Sequence, residues 1–270
     1  NSRRATLEHI AVIGFDSLTA TQPAIKLGSS CTECLLFDIY STFGSSVIDI
    51  ASSDNLIEEV YASHAYGGAI VSNSGGGSWF IRVKLDQDWP TSTPPTGLAS
   101  SVPAWAATTA YSLNQVVTVG SYILQCNQAG TSGGSAPTVA KYFTNITDGT
   151  ARWQLALPST YYGMLISGAG SQNTLTMMDF TGVGVDAISI SAAVFSVKVH
   201  QSTFGQYLSS GIATTGAGSA LLISDNEFIG GIYTSTGSGI NIGSTWLGHA
   251  LIKGNFMAGN FWGTSQYGVV

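Results

Sequence analysis

Residues 186–224 read DAISISAAVFSVKVHQSTFGQYLSSGIATTGAGSALLIS, and two apolar segments recur within this stretch. The segment Ile188–Ile190 recurs 24 residues later as Ile212–Thr214. The segment Val197–Val199 also recurs 24 residues later, as Leu221–Ile223. Because a fixed period of about 20 to 50 residues is typical of stacked structural repeats, this stretch predicts a solenoid.

Both patterns extend along the chain on either side of this stretch. Between the last residues of successive segments the steps are 20 to 29 residues, apart from one step of 96 and one of 94. The two long steps fall at the same place, and subtracting one repeat of 24 leaves 72 and 70 inserted residues. The first pattern comprises Ile10/Val12, Leu35/Phe37, Asn55/Ile57, Trp79/Ile81, Leu175/Met177, Val197/Val199, Leu221/Ile223 and Ala250/Ile252. The second comprises Ile25/Leu27, Ile48/Ile50, Ile70/Ser72, Met164/Ile166, Ile188/Ile190, Ile212/Thr214 and Ile240/Ile242.

These segments predict an all-β fold. Alternating apolar residues indicate short strands, and several short strands per repeat favour a parallel β-helix of about eight coils, stacked about 4.8 Å apart. An antiparallel sandwich or barrel is the rival, but it does not explain why residues one repeat apart share their character. We expect N-terminal coils over residues 1–88, a small inserted β module over 89–159 and C-terminal coils over 160–270.

The composition excludes several classes of partner. Only 9% of the residues are charged, against about 25% in ordinary domains, and the net charge is −6. No basic face is available to neutralise phosphates, so a nucleic-acid partner is not expected. No apolar run approaches the length of about 18 residues that predicts a membrane span. The sequence also lacks metal-ligand spacing and a phosphate-binding loop, so we expect no metal and no cofactor.

Cysteines and chain ends add two expectations. Cys31 and Cys34 have the CxxC spacing, but no further pair of ligands is placed to complete a zinc site, so the three cysteines are expected to be unpaired thiols. Neither end carries an element that would cap a stack, and uncapped stacks expose strand edges. We therefore expect either a segment of a longer protein or partner chains that cover the ends.

The inserted stretch has its own pattern. Val116–Val119 and the residues from Tyr122 to Gln125 flank Gly-Ser and predict a β-hairpin, while Asp148-Gly149 predicts a turn before a strand containing Trp153. With Trp105, Tyr111, Tyr122 and Trp153, this stretch resembles the small chitin- and cellulose-binding modules of bacterial glycosidases (family 5/12 type) and their versions in phage tail proteins. The resemblance implies that these four aromatic residues contact sugars. The alternative is that they form the core of a small module.

The solenoid together with this insert resembles a bacteriophage tailspike or tail-fibre receptor-binding protein of the pectate-lyase-like class. That class implies a right-handed β-helix and a homotrimer. It also implies a location in the virion tail, with action outside the cell, and binding, often with cleavage, of capsular polysaccharide or O-antigen. Two alternatives stay open: a structural or adhesive β-solenoid without catalysis, and a secreted bacterial polysaccharide lyase.

The residues predicted to face outwards include a candidate catalytic site. The residue that follows each first-pattern segment includes Asp38, Glu58 and Arg82 on three consecutive coils, which would place them about 4.8 Å apart. Two carboxylates about 5 Å apart match a retaining glycosidase, whereas Arg82 with one carboxylate would suit a uronic-acid lyase. An exposed ion-pair ladder without chemistry is the alternative. Secondary candidates for contacting substrate are Glu59, Asp86 and Asp88.

A second column suggests assembly. Residues that precede or follow the start of each second-pattern segment are mostly small or apolar, and a solvated face would usually carry charge. We expect this face to pack against sister chains around a threefold axis. The two sets are Ala24, Val47, Ala69, Gly163, Ala187, Gly211 and Gly239, and Lys26, Asp49, Val71, Leu165, Ser189, Ala213 and Asn241.

Overall fold

A computed structural model describes most of the 270-residue chain, and the described part is all-β. Within it there is no helix, and hence none long and apolar enough to cross a membrane. Most strands belong to two sheets in which every pair of neighbours is parallel. The described residues are 4–13, 22–44, 46–65, 69–86, 103–120, 122–139, 145–158, 162–183, 186–207, 209–229, 238–258 and 267–269.

The first sheet contains twelve strands on eight successive levels. Four levels hold one long strand each, and four hold two short strands that follow one another. The long strands are β1 (Thr6–Ile13), β3 (Leu35–Gly44), β5 (Asn55–Ala65) and β7 (Ser78–Asp86). The short strands are β15 (Gln172–Thr176), β16 (Asp179–Val183), β18 (Val194–His200), β19 (Thr203–Tyr207), β21 (Gly218–Ser224), β22 (Glu227–Ile229), β24 (His249–Lys253) and β25 (Phe256–Ala258).

The second sheet contains eight strands and follows the second sequence pattern closely. Its strands are β2 (Ile25–Leu27), β4 (Ile48–Ile50), β6 (Ala69–Asn73), β14 (Tyr162–Ile166), β17 (Ile188–Ile190), β20 (Ser210–Thr214), β23 (Ser238–Ile242) and β26 (Tyr267–Val269). The paired residues Ile188, Ile212 and Ile240 are all buried, as the pattern predicts. The one exception is β6, where Val71 rather than Ile70 pairs with Ile48 and Met164.

Both sheets continue across the inserted stretch. Ile166 of β14 pairs with Asn73 of β6, and Leu175 of β15 pairs with Phe80 of β7. Strands that are about 95 residues apart in sequence are therefore direct neighbours. The common break in the two sequence patterns is confirmed at this point.

One backbone feature bends the strands of the first sheet. At each level one residue has a positive φ, between 51° and 64°, and these residues are in register with one another. The column is His9, Asp38, Glu59, Arg82, Met177, Gln201, Asp225 and Gly254. Such a residue interrupts the alternation of inward and outward side chains, because it leaves two successive residues outside. We call this column the corner column.

The corner column corrects the register of the first sequence pattern. Val12 pairs with Ser41 and not with Phe37, while Phe37 pairs with Glu58. The inward column instead contains Leu36, Ile57 and Phe80, all fully buried, and continues with Leu175, Val199 and Ile223. Since Leu7 pairs with Leu36, the predicted column was wrong by five positions at Val12. It was wrong by one position at Phe37 and Ile81 and by two at Met177, and right at Ile57, Val199 and Ile223.

The core between the sheets is apolar and includes a column of aromatic rings. Phe180, Phe204 and Phe228 are fully buried, with successive ring centroids 5.7 and 5.3 Å apart. Gly211 packs against Phe228, where a Cβ would lie 2.4 Å from the ring. Val47, at the start of β4, also lies in this core.

Burial at these positions corrects the first set of residues expected at an interface. Val47, Ala69 and Ala187 are buried within the chain and are not offered to a partner. In the second set, Val71, Ser189 and Ala213 are buried as well, and in β6 Ser72 takes the outward place. The members that remain accessible are Lys26, Asp49, Leu165 and Asn241, and together with Ser72 they are the candidate contact surface in the described part of this sheet.

Buried amides stabilise the turn that follows the corner column in the C-terminal levels. Asn226 donates to the Oδ1 atom of Asn255 (2.9 Å) and to the carbonyl of Val199 (3.0 Å). Its own Oδ1 accepts from the amide of Ser202 (3.0 Å). The cysteine prediction was wrong for one pair, because Cys31 and Cys34 form a disulfide, whereas Cys126 is free and buried.

A separate antiparallel sheet forms within the inserted stretch. It contains β9 (Val116–Val119), β10 (Tyr122–Gln128), β12 (Ile146–Asp148) and β13 (Ala151–Pro158). Within the same stretch, β8 (Ala110–Tyr111) and β11 (Gly130–Thr131) form a second, two-stranded antiparallel sheet. The predicted hairpin is confirmed by the pairing of Val119 with Tyr122, and the predicted turn by the pairing of Asp148 with Ala151.

Candidate functional site

The candidate site is a two-by-three array of side chains on the outer surface of β3, β5 and β7. One row consists of the corner-column residues Asp38, Glu59 and Arg82. The other row lies two residues further along each strand and consists of Tyr40, Tyr61 and Lys84. Neighbours within a row lie on adjacent parallel strands, which are about 4.8 Å apart. We call these six residues the array.

An open groove follows the array. Its volume is about 320 Å³, and all six array residues line it, together with Ile39 and Val60. A second groove of about 720 Å³ lies on the same two rows in the C-terminal levels, where the corner residues are Met177, Gln201 and Asp225. Both grooves therefore extend along the direction in which the strands are stacked.

Arg82 is the centre of the charged interactions. Its Nε atom donates to Glu59 Oε1, and one of its terminal nitrogens donates to Glu58 Oε1. The contact with the carboxylate of Glu59 raises the pKa of Arg82, with a smaller contribution from Glu58. The guanidinium thus bridges two adjacent carboxylates with one charge-assisted hydrogen bond to each, and the three groups together keep a net charge of −1.

The register moves one predicted catalytic residue out of the expected row. Asp38 and Arg82 do share a row, but the residue between them is Glu59. Glu58 lies in the preceding row, between Phe37 and Ile81. The prediction of Asp38, Glu58 and Arg82 as three aligned neighbours was therefore wrong in register, although Arg82 still reaches Glu58.

Asp38 has a different partner. Its Oδ2 atom lies 2.6 Å from Nδ1 of His9, the corner residue of β1. His9 also meets the ring of Phe37 edge-on, with a centroid separation of 5.9 Å. Asp38 and Glu59 therefore have different neighbours, a histidine ring for the first and a guanidinium for the second.

The second row of the array is aromatic and then cationic. Tyr40 and Tyr61 stack with parallel rings whose centroids are 5.2 Å apart. The Nζ atom of Lys84 lies 5.8 Å from the centroid of Tyr61 on the adjacent strand. Such cation–π contacts favour a well-defined position of the ammonium group. Sequence reasoning missed all three residues, because they become one row only when the register is corrected.

The acidic residues beside the array form a polar border. Lys84 Nζ lies 3.7 Å from Asp86 Oδ2 and 4.0 Å from Asp179 Oδ2. Asp86 also accepts a hydrogen bond of 3.2 Å from the hydroxyl of Thr181. Asp86 therefore lies next to the array, as expected from the sequence, whereas Asp88 falls outside the described residues. Among those residues, no group of three His, Cys, Asp or Glu side chains is arranged to hold a metal ion.

The aromatic residues of the inserted stretch mainly form a core. Trp153 is fully buried and Tyr111 nearly so, and their rings meet edge-on with centroids 4.8 Å apart. The prediction that these two stack on sugars was wrong, because neither ring face is open to solvent. Trp105 and Tyr122 are partly exposed and pack against the same cluster.

A buried carboxylate connects the two tryptophans. Asp148 Oδ2 accepts from the indole nitrogens of Trp105 (2.7 Å) and Trp153 (2.9 Å). Its Oδ1 atom accepts from the amide of Gly133 (2.7 Å). Trp105 is thus held at its polar edge, which limits the face that it can offer to a ligand.

When the sequence is compared with protein families and with curated proteins, no family model and no curated protein matches it.

Proposed function

We propose that this chain is a right-handed parallel β-helix from a phage tail appendage of the tailspike type, and that it binds a bacterial surface polysaccharide. The observation that carries this proposal is the alignment of two open grooves on one pair of rows along the stack. A long polymer with a repeating unit matches a surface whose side chains also repeat at a fixed spacing. In this proposal the protein acts outside the host cell, as part of the virion tail.

The chemistry of the array supports a sugar ligand. Aromatic side chains provide apolar surface for the C–H faces of sugar rings, and the array places Tyr40 and Tyr61 beside carboxylates and a guanidinium that can bond hydroxyl groups. Tyr40 is 44% exposed, so part of its ring surface is accessible to a ligand. A smooth, non-binding solenoid face would not require this combination.

The ion pairs favour binding over cleavage. A retaining glycosidase needs one protonated carboxyl group and one free carboxylate. Here Arg82 contacts both Glu58 and Glu59, so neither carboxyl group is left free to act as a proton donor to a glycosidic oxygen. The same two contacts occupy the guanidinium that a uronic-acid lyase would need for its substrate. We therefore propose recognition as the main activity of the array.

Assembly belongs to the same proposal. The accessible residues of the outward row of the second sheet are Lys26, Asp49, Ser72, Leu165 and Asn241, and only the first two are charged. Lys26 and Asp49 also neutralise one another, with 3.7 Å between Nζ and Oδ2. A weakly charged, small-residue face allows close approach of sister chains, and we propose a homotrimer. Light scattering that gives the mass of a single chain would contradict it.

A glycan array with the intact protein tests the main proposal. We expect one or a few bacterial polysaccharides to bind, and expect Tyr61→Ala to weaken that binding. Release of reducing ends from the bound glycan, measured in parallel, separates a depolymerase from a binding protein; we expect none. Absence of binding to any surface polysaccharide would favour the structural solenoid instead.

A further inference from the structure

The stack of Tyr40 and Tyr61 has two ends, and they differ. At one end, the ammonium group of Lys84 lies over Tyr61. At the other end, the residue that pairs with Tyr40 on β1 is Ala11, an exposed residue with only a methyl side chain. Because the rings are parallel and follow the strand spacing, the second face of Tyr40 points towards the level of Ala11. Within the described part of the chain, no ring or charged group contacts that face.

The gap between Ala11 and Tyr40 is bordered on one side by polar side chains. His9 precedes Ala11 by two residues, and Asp38 precedes Tyr40 by two residues, so the His9–Asp38 pair lies about 7 Å along the strands from the open ring face. Asp38 Oδ2 is paired with His9, whereas Oδ1 has no donor among the described residues. An aromatic face and a free carboxylate oxygen therefore border the same gap.

The surrounding strands carry a net negative charge, which favours a positively charged ligand. The strands β1, β3, β5 and β7 carry five carboxylates against two cationic side chains, and both cations already contact carboxylates. The five carboxylates are Glu8, Asp38, Glu58, Glu59 and Asp86. An anionic sugar would be repelled here, whereas an ammonium group would be attracted.

We infer that the gap between Ala11 and Tyr40 is a binding subsite for an amine-bearing sugar residue. The sugar ring lies against the free face of Tyr40, and its ammonium group pairs with Asp38 Oδ1. At the other end of the tyrosine stack, Lys84 likewise combines contact with a tyrosine ring and with a carboxylate, since its Nζ atom lies 5.8 Å from the ring centroid of Tyr61 and 3.7 Å from Asp86 Oδ2. This inference rests on the proposed function and names the class of residue that the polysaccharide contains.

Calorimetric titrations with three oligosaccharides of equal length test the inference. The probes are a chitosan hexamer with free amines, its fully N-acetylated counterpart and a hexagalacturonate. We expect the chitosan hexamer to bind most tightly, about fivefold or more above the acetylated probe, and expect hexagalacturonate not to bind. In Asp38→Asn the preference for the amine should fall to near unity.

A substitution that changes no charge provides the decisive control, since an acidic protein attracts chitosan non-specifically. Ala11→Tyr extends the aromatic stack into the gap on an exposed strand position, where an aromatic residue is well tolerated. We expect it to weaken chitosan binding at least about fivefold, the preference that the subsite contributes. Ala220→Tyr, at an equally exposed alanine of the same sheet that lines neither groove, should bind as the wild type does.

Two results would overturn the inference. One is equal binding of the amine and acetylated probes; the other is wild-type affinity in Ala11→Tyr. If either occurs while the protein still binds a polysaccharide on the glycan array, only the amine-sugar subsite is rejected and the proposed function stands. If no polysaccharide on the glycan array binds, the proposed function is rejected as well.

Discussion

The rings of Tyr40 and Tyr61 lie parallel, 1° apart in orientation, with 5.2 Å between their centroids. The two residues are 21 positions apart in sequence, and only the parallel pairing of β3 with β5 brings them together. Their separation is close to the strand spacing of about 4.8 Å, so the stack is a direct product of the register. A ligand that runs along the strands' stacking direction meets these rings in order.

Removing one ring should weaken polysaccharide binding. For Tyr61→Ala we expect a loss of about 0.5–1.5 kcal/mol, or a roughly two- to twelvefold weaker affinity, because both the ring contact and the support for Tyr40 disappear. Biolayer interferometry with the polysaccharide found on the glycan array measures this. Phe195→Ala is the matched control, since Phe195 is also an exposed aromatic residue but lies outside the array. Equal losses in the two variants would show that the tyrosine stack has no special part.

Arg82 tests the role of the ion pairs. Arg82→Gln leaves Glu58 and Glu59 adjacent without a cation, and we expect weaker glycan binding because the two carboxylates then repel each other and move apart. Arg82→Lys keeps the charge but cannot make both contacts in one plane, so its affinity should fall between those of wild type and Arg82→Gln. Thermal unfolding should change little, because these groups are solvent-exposed. A large drop in unfolding temperature would indicate a structural role instead.

Asp148 should be important for the stability of the inserted module. Asp148→Ala removes three charge-assisted hydrogen bonds and leaves the buried indole of Trp153 without an acceptor. We expect a loss of about 2–4 kcal/mol in the free energy of unfolding, followed by tryptophan fluorescence in denaturant. Thr147→Ala, an exposed change at the neighbouring residue, serves as the control and should be near neutral. Similar stability of both variants would contradict the role given to Asp148.

Asp186 predicts a pH dependence of stability. Burial raises the pKa of Asp186 to about 6, and hydrogen bonds from Ser209 and Ser210 only partly oppose this. Since the folded state holds the proton more tightly than the unfolded state, this group's stabilising contribution is complete below the unfolded pKa of 3.8 and is lost as pH rises through 6. Wild type should therefore gain about 1 kcal/mol relative to Asp186→Asn between pH 7 and pH 5.

Urea unfolding at the two pH values checks this difference. The exposed carboxylate of Asp54 provides the control, and Asp54→Asn should follow the wild-type pH dependence. If wild type and Asp186→Asn change in parallel, the buried carboxyl group does not titrate as described.

Asn226 tests the turn after the corner column. Asn226→Ala removes a side chain that is 2% exposed and makes three hydrogen bonds to neighbouring levels. We expect a loss of about 2–3 kcal/mol, because the amide of Ser202 and the carbonyl of Val199 remain buried without partners. Asn241→Ala, on the outer surface of the second sheet, should cost much less in the same denaturation experiment. A near-neutral Asn226→Ala would show that the stacked amides are not needed.

The second sheet was predictable because its strands, apart from β6, keep the alternation that the sequence pattern shows. The inward residues Ile188, Ile212 and Ile240 pair with one another on successive strands. Each belongs to a segment in which every second residue faces inwards, so a search for that alternation finds it. The first sheet was harder, because each corner residue places two successive side chains outside and shifts the count. Residues such as Arg82 and Met177 carry no sequence mark of a positive φ, a conformation that side chains rarely adopt.

The candidate site was likewise predictable only in part. Arg82, Asp38 and Glu59 were recognised from charge in a chain with few charged residues, but Tyr40, Tyr61 and Lys84 required the true register. Within the inserted stretch, the turn residues identified the hairpin. Whether Trp153 faces a ligand or a core depended on tertiary packing, which spacing along the chain does not encode.

The join between Asn73 and Ile166 has a consequence for how such proteins can diversify. Because β14, which begins at Tyr162, pairs directly with β6, the sheet is continuous although β7, which ends at Asp86, and the whole inserted stretch lie between the two strands in sequence. A segment exchanged at that junction therefore need not change the spacing of the strands on either side. The scaffold thus separates two evolutionary problems, keeping its sheets in register and acquiring new appendages.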